Sequence, residues 1–228
     1  MAKWSTTHNR VLAALAGAVL GLLVGGDARA SGADPDALTE ARQLAALPAN
    51  AILEVSLAAD IDGDGHADAA ILGGTPAQRR LVVWFGTPDG HEAPVSAPLG
   101  APNSNTGASL DTDKGELVVL DATGDDAETK TIYRFRREPG IAGMRLASIE
   151  SERYRGREAI RLAWNLLSGA HEFARGELVE SADGDESVPR YGTPHRSRRE
   201  SPPVDMASTP LPDALIDAEL RAPAPSRD

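Results

Sequence analysis

Four aspartates lie at alternating positions within the nine residues from Asp60 to Asp68, a segment that also contains Gly63 and Gly65. Carboxylates this close repel each other unless a cation lies between them, and Ca²⁺ accepts about six to eight oxygen ligands from a flexible backbone. The sequence therefore predicts a Ca²⁺ site in this loop. The candidate ligands are the side chains of Asp60, Asp62, Asp64 and Asp68 and the backbone carbonyl of His66.

The residues on either side of the loop predict that it joins two strands. Residues 52–57 alternate partly between apolar and polar side chains, and residues 69–74 form a short apolar run. An EF-hand would need flanking helices and an acidic residue at its twelfth position, where this chain has Ile71. A solvated acidic turn is the alternative interpretation, because Asp and Gly also favour turns for conformational reasons.

The pattern DxDGDGxxD followed by an apolar strand resembles the calcium loop of FG-GAP and VCBS repeats, which build β-propeller blades. The resemblance continues through residues 80–90, where those repeats place their next strand and a Gly/Asp turn. It covers about forty residues in a single copy, whereas a propeller needs at least about four blades. The resemblance therefore implies a calcium loop between blade-like hairpins and does not imply a whole propeller.

The amino terminus predicts export. Lys3 and Arg10 precede an apolar run over residues 11–26, and residues 28–30 form a small-x-small cleavage site, so residues 1–30 are predicted to be a secretory signal peptide. The run is shorter than the roughly 20 residues of a membrane-spanning helix, which disfavours the alternative of an uncleaved anchor. Because the chain has no cysteine, disulfide bonds and lipid attachment through cysteine are excluded. We expect a bacterial periplasmic or secreted protein without membrane insertion after cleavage.

The net charge disfavours anionic partners. Removing residues 1–30 takes away three basic residues and one acidic residue, so the charge changes from −11 to −13. An acidic surface repels phosphate backbones, and nucleic-acid binding is therefore not expected.

The short apolar segments of the chain, separated by turn residues, predict a mainly β fold. A short N-terminal helix is expected from residue 34 to Pro48, followed by an antiparallel β-meander within a domain of residues 31–181. Residues 90–115 read as a long loop. Residues 182–228 contain eight of the sixteen prolines and read as a disordered tail, apart from a helix over residues 212–221 that could dock on the domain or on a partner.

The segment from Thr131 to Glu177 loosely resembles a widespread group of largely uncharacterised exported bacterial proteins. The residues that carry this resemblance are residues 133–136, residues 144–149 and residues 164–170. The resemblance implies a strand, a turn and a second strand, with basic side chains outward and aromatic side chains inward.

No catalytic motif is present in the sequence. His171-Glu172 begins like a zinc-protease motif, but residue 175 is Arg, and a cysteine nucleophile and a phosphate-binding glycine loop are also missing. We therefore expect a non-enzymatic calcium-binding protein whose structural ion supports binding of an envelope protein or glycan. Two alternatives remain open: an envelope interaction or inhibitor protein independent of metal, and a hydrolase that uses an unrecognised pair of carboxylates.

Overall fold

The structure is a computed structural model that describes residues 47, 50–75, 78–100, 107–124, 127–138, 141, 143–181 and 187–222. The predicted signal peptide of residues 1–30 lies outside these residues. The predicted helix of residues 34–48 also lies outside them, apart from Leu47.

Antiparallel strands build the described part of the chain, which confirms the predicted mainly β fold. The smaller sheet has four strands in the order β1-β2-β3-β6. The larger sheet has eight, in the order β13-β12-β11-β10-β9-β8-β7, with β14 also paired to β12. A separate two-stranded ribbon joins β4 to β5. The strands are β1 (Ile52–Ala59), β2 (Asp68–Thr75), β3 (Gln78–Trp84), β4 (Gly86–Thr87), β5 (Gly90–His91), β6 (Val95–Leu99), β7 (Gly107–Asp113), β8 (Glu116–Gly124), β9 (Glu128–Arg137), β10 (Met144–Arg155), β11 (Glu158–Asn165), β12 (Ala170–Glu180), β13 (Ser187–Tyr191) and β14 (His195–Arg198).

Strand alternation decides which side chains face the core. In β9, Thr131, Tyr133 and Phe135 are buried, whereas Ile132 and Arg134 on the other face are only partly buried. This is the arrangement that the period-two pattern predicts. Ser168 and Gly169 lie in the turn that joins β11 to β12.

The two sheets share one apolar core. Its buried side chains include Leu72, Leu81 and Val83 from the smaller sheet and Tyr133 and Phe135 from the larger sheet. A second, smaller cluster of Ile71, Val82 and Trp84 lies on the opposite face of the smaller sheet. The register of β3 turns Trp84 to this other face, whereas Tyr133 and Phe135 lie in the main core.

The prediction of a long loop over residues 90–115 was wrong. This segment contains β5, β6 and β7, and β6 and β7 are end strands of the smaller and larger sheets. Such strands receive hydrogen bonds from one neighbour and can be short, polar and proline-containing, as β6 is at Pro98. Their composition therefore resembled that of a loop.

The disordered tail predicted for residues 182–228 also needs correction. Within it, β13 and β14 both pair with β12, and a 3₁₀ turn at Met206–Ser208 precedes a helix. The prolines do not prevent this pairing, because Pro189 lies in an end strand, where a missing N–H on the outer side breaks no ladder. Two arginines of this segment also form ion pairs with β12: Arg190 pairs with Glu177, and Arg196 pairs with Glu172.

The helix, α1 (Pro212–Arg221), has the bounds that the sequence predicted. Proline is at its first turn and Arg221 is in its last turn, where each residue favours helix formation. Ile216 is fully buried in the shared core, and Leu215 and Leu220 pack against it, so α1 docks on its own domain. Within the described part of the chain, no helix is both long and apolar enough to cross a lipid bilayer.

His171 on β12 lies under α1. Its Nε2 is 3.6 Å from a carboxylate oxygen of Glu219, and its Nδ1 is 3.3 Å from the hydroxyl of Ser197. Arg199 also bonds Glu219, at 2.6 Å. Burial lowers the pKa of His171 from its ordinary value of 6.5, and the nearby charge of Arg199 lowers it further. The folded chain therefore takes up this proton less readily than the unfolded chain.

We expect the chain to lose stability as the pH falls below 6.5, because the unfolded state then binds the His171 proton first. In His171→Gln this contribution disappears, so the free energy of unfolding should fall less steeply between pH 6.5 and about pH 5, by up to about 1.4 kcal/mol per pH unit. Urea denaturation at stepped pH measures this slope. His91→Gln, at an exposed position on β5, is the control and should keep the wild-type slope. Equal slopes in all three proteins would contradict the expectation.

Candidate metal centre

The acidic loop joins β1 to β2, as predicted, and Asp68 is the first residue of β2. The two loop glycines have left-handed backbone angles, with φ of +81° at Gly63 and +90° at Gly65. Residues other than glycine rarely adopt these backbone angles. These two residues therefore allow the tight turn that brings Asp60 and Asp68 together.

The carboxylate of Asp60 organises the loop backbone. Its Oδ1 accepts hydrogen bonds from the N–H of Gly63 at 2.8 Å and of Asp64 at 3.1 Å, and its Oδ2 accepts one from Gly65 at 3.1 Å. Asp62 accepts a bond from Asp64 N at 3.2 Å, and Asp64 accepts one from His66 N at 2.8 Å. The loop conformation is thus held by its own aspartates.

Asp68 is the buried member of the loop, with 1% of its surface exposed. Its two oxygens accept bonds of 2.7 Å from the N–H of Ile61 and of Gly86. Burial raises the pKa of Asp68, the backbone hydrogen bonds from Gly86, Ile61 and Asp62 act in the opposite direction, and the charge of Asp62 adds to the rise. A Cβ at Gly86 would lie 2.3 Å from the carbonyl oxygen of Ala67, so this close approach requires glycine.

Three of the predicted ligands come together. One carboxylate oxygen from each of Asp60, Asp62 and Asp68 lies within 4.8 Å of the other two. Because calcium–oxygen distances are about 2.3–2.6 Å, two ligands of one ion can be up to about 5 Å apart. The separation therefore suits a single bound cation. Asp64 and His66 are the remaining predicted ligands, and their side chains are not part of this group.

The group carries an electrostatic cost without a cation. Two carboxylates about 5 Å apart repel each other by about 1 kcal/mol in water and by about 3 kcal/mol at the effective dielectric of a protein surface. Asp60 is exposed, which reduces its share, whereas Asp62 and Asp68 are shielded from solvent. A divalent cation at this point would remove the repulsion.

Arg137 contacts the acidic loop, and the sequence did not predict this contact. It is the last residue of β9 in the larger sheet, and its guanidinium donates to Asp62 at 2.5 Å and to Glu92 at 2.6 Å. The same group stacks on Phe85, 4.2 Å from the ring centre. Arg137 and Asp62 are 75 positions apart in the sequence. Only the packing of the two sheets brings them together.

The other acidic segments do not form a second centre of this kind in the described residues. Asp121 lies in β8, and its carboxylate accepts a bond of 2.5 Å from the buried Arg79. Burial raises the pKa of Asp121, and the charge of Arg79 offsets part of this rise. Residues 125–126 and 182–186 lie outside the described residues.

Comparisons of the chain with protein-family models, with curated proteins and with solved structures found no match. The fold and the site alone therefore define the class: a mainly antiparallel β protein with a cluster of three aspartates, at the turn between its first two described strands, that could hold a metal ion.

Proposed function

We propose that the chain is an exported, non-catalytic calcium-binding protein in which the ion is structural. The observation that carries the proposal is the group of oxygens from Asp60, Asp62 and Asp68 within 4.8 Å of one another. Oxygen-only ligands on a flexible loop are the donors that Ca²⁺ prefers. Asp64 and the carbonyl of His66 follow in the same loop and are proposed to complete the coordination, together with water.

In this proposal the ion stabilises the contact between the β1–β2 turn and the rest of the domain. Asp68 already ties the loop to Gly86, and Asp62 ties it to Arg137 on the larger sheet. Neutralising the aspartates would strengthen a turn that otherwise carries their repulsion. Calcium would then stabilise the folded state by mass action wherever its concentration exceeds the dissociation constant.

The cellular location of the protein and the kind of partner that it binds are proposed from the sequence. The signal-peptide pattern of residues 1–30 supports a bacterial periplasmic or secreted location, where calcium-binding modules work with dissociation constants of about 10⁻⁴–10⁻³ M. The acidic charge argues against a nucleic-acid partner. The proposed partner is a protein or a glycan of the envelope.

We expect calcium at about 1–5 mM to raise the melting temperature of the chain relative to EDTA, and magnesium to raise it less, because Mg²⁺ requires a more rigid octahedral site. Differential scanning calorimetry measures the shift, and isothermal titration gives the dissociation constant. The variant Asp62→Asn should lose most of the shift. Asp111→Asn, in β7 and away from the loop, is the charge-matched control and should respond to calcium as the wild type does. A melting temperature that ignores calcium would reduce the loop to an acidic turn.

A further inference from the structure

Arg137 is fixed beside the acidic group from three directions. One of its nitrogens donates to Asp62, a second donates to Glu92, and the planar guanidinium stacks on the ring of Phe85. The Arg137 side chain is 27% exposed, and that of Asp62 is 5% exposed. A guanidinium held by a carboxylate and by an aromatic face loses little further freedom when it binds a second carboxylate. Arg137 is therefore a fixed positive charge at the edge of the proposed metal site.

The position of this charge matters because Asp62 is nearly buried. A shielded carboxylate needs either hydrogen bonds or a positive partner, and its only side-chain partner among the described contacts is Arg137. Its other oxygen accepts a single backbone bond of 3.2 Å from Asp64. Arg137 thus compensates part of the loop charge in the protein without metal.

We propose that Arg137 is the resident cation of the acidic loop: it keeps the loop folded without metal and weakens calcium binding by sharing Asp62 with the ion. The part that concerns calcium rests on the function proposed above. The guanidinium and the ion repel each other across Asp62, so the same contact that preserves the metal-free loop also holds the calcium affinity low. Arg137 is in this sense an affinity-setting residue that belongs to the larger sheet.

The test compares wild type with Arg137→Gln in EDTA and in calcium. We expect Arg137→Gln to lower the melting temperature in EDTA, to show a larger calcium-induced rise than the wild type, and to bind calcium about tenfold more tightly, since one repelling charge is gone. Arg136→Gln is the matched control, because Arg136 carries the same charge on the adjacent position and bonds Glu138 instead of the loop. It should leave both the calcium affinity and the calcium-induced rise at wild-type values.

An unchanged or weaker calcium affinity in Arg137→Gln would overturn the proposal, because Arg137 would then only position Asp62. If calcium does not raise the melting temperature of the wild type, the proposed function is wrong. The calcium part of the Arg137 proposal is then wrong too, unless calcium raises the melting temperature of Arg137→Gln. The metal-free part is decided separately in EDTA. There the double variant Asp62→Asn with Arg137→Gln should be more stable than Arg137→Gln alone, even if that single variant folds poorly. A double variant no more stable than the single one would show that Arg137 does not compensate Asp62.

Discussion

Replacing Arg79 with methionine is expected to lower the free energy of unfolding by about 3–5 kcal/mol, because it leaves the buried carboxylate of Asp121 and the partly buried carboxylate of Glu54 without their cation. The Arg79 side chain is fully buried and lies between Glu54 of β1 and Asp121 of β8. It bonds both oxygens of Glu54, at 2.7 and 2.5 Å, and one oxygen of Asp121, at 2.5 Å. This one side chain therefore links the two sheets. Urea denaturation at pH 7 measures the loss.

Arg80→Met is the matched control, because Arg80 is the next residue of β3 and is exposed. It should change the unfolding free energy by less than about 0.5 kcal/mol. Adding Asp121→Leu and Glu54→Gln to Arg79→Met should restore part of the loss, since the cost comes from the carboxylates left unpaired. A loss below about 1 kcal/mol in Arg79→Met would mean that the buried network contributes little to folding.

Arg79 and Arg80 also show that the sequence does not predict which of two adjacent arginines is buried. They are adjacent and identical, yet one is buried between two acids and the other faces solvent. The alternation of β3 assigns them to opposite faces, but which face meets the larger sheet depends on how the sheets pack. The acidic partners of Arg79 are 25 and 42 positions away. Local patterns carry no information about such pairs.

Elements with a clear periodic pattern of apolar side chains were predicted correctly. In β9 the buried set of Thr131, Tyr133 and Phe135 follows from a period of two, and α1 follows from its proline and the spacing of Leu215, Ile216 and Leu220. The end strands β6, β7, β13 and β14 were not predicted. β6 contributes Ala97 and Leu99 to the core, but this strand is short and contains a proline, whereas β13 and β14 contribute no side chain to the core and are held by pairing with β12.

Some residues of the candidate site could likewise be predicted from the sequence, and others could not. The alternating acids identified Asp60, Asp62 and Asp68, because one loop supplies all three. Arg137 comes from the larger sheet and could not be found from spacing. Phe85-Gly86 did follow the predicted strand at the expected place, so a glycine close to the loop was a signal that could have been used.

The aspartate whose loss should matter most is Asp68. Without metal, Asp68→Ala is expected to lower the unfolding free energy by about 2–4 kcal/mol, because it leaves the N–H groups of Ile61 and Gly86 without an acceptor in a buried position. The estimate is less than two full charged hydrogen bonds, since removing the carboxylate also relieves its burial. Urea denaturation in EDTA measures this loss.

Asp64→Ala separates this role from a general effect of charge. Asp64 is exposed in the same loop and accepts one local bond from His66, so its loss should cost less than about 1 kcal/mol in EDTA. In calcium, Asp68→Ala should also lose the rise in melting temperature, because one of the three converging oxygens is gone. Equal losses for the two variants in EDTA would mean that the backbone bonds of Asp68 do not hold the loop. In that case the turn is held by Asp60 and the glycines, and Asp68 serves only the bound ion.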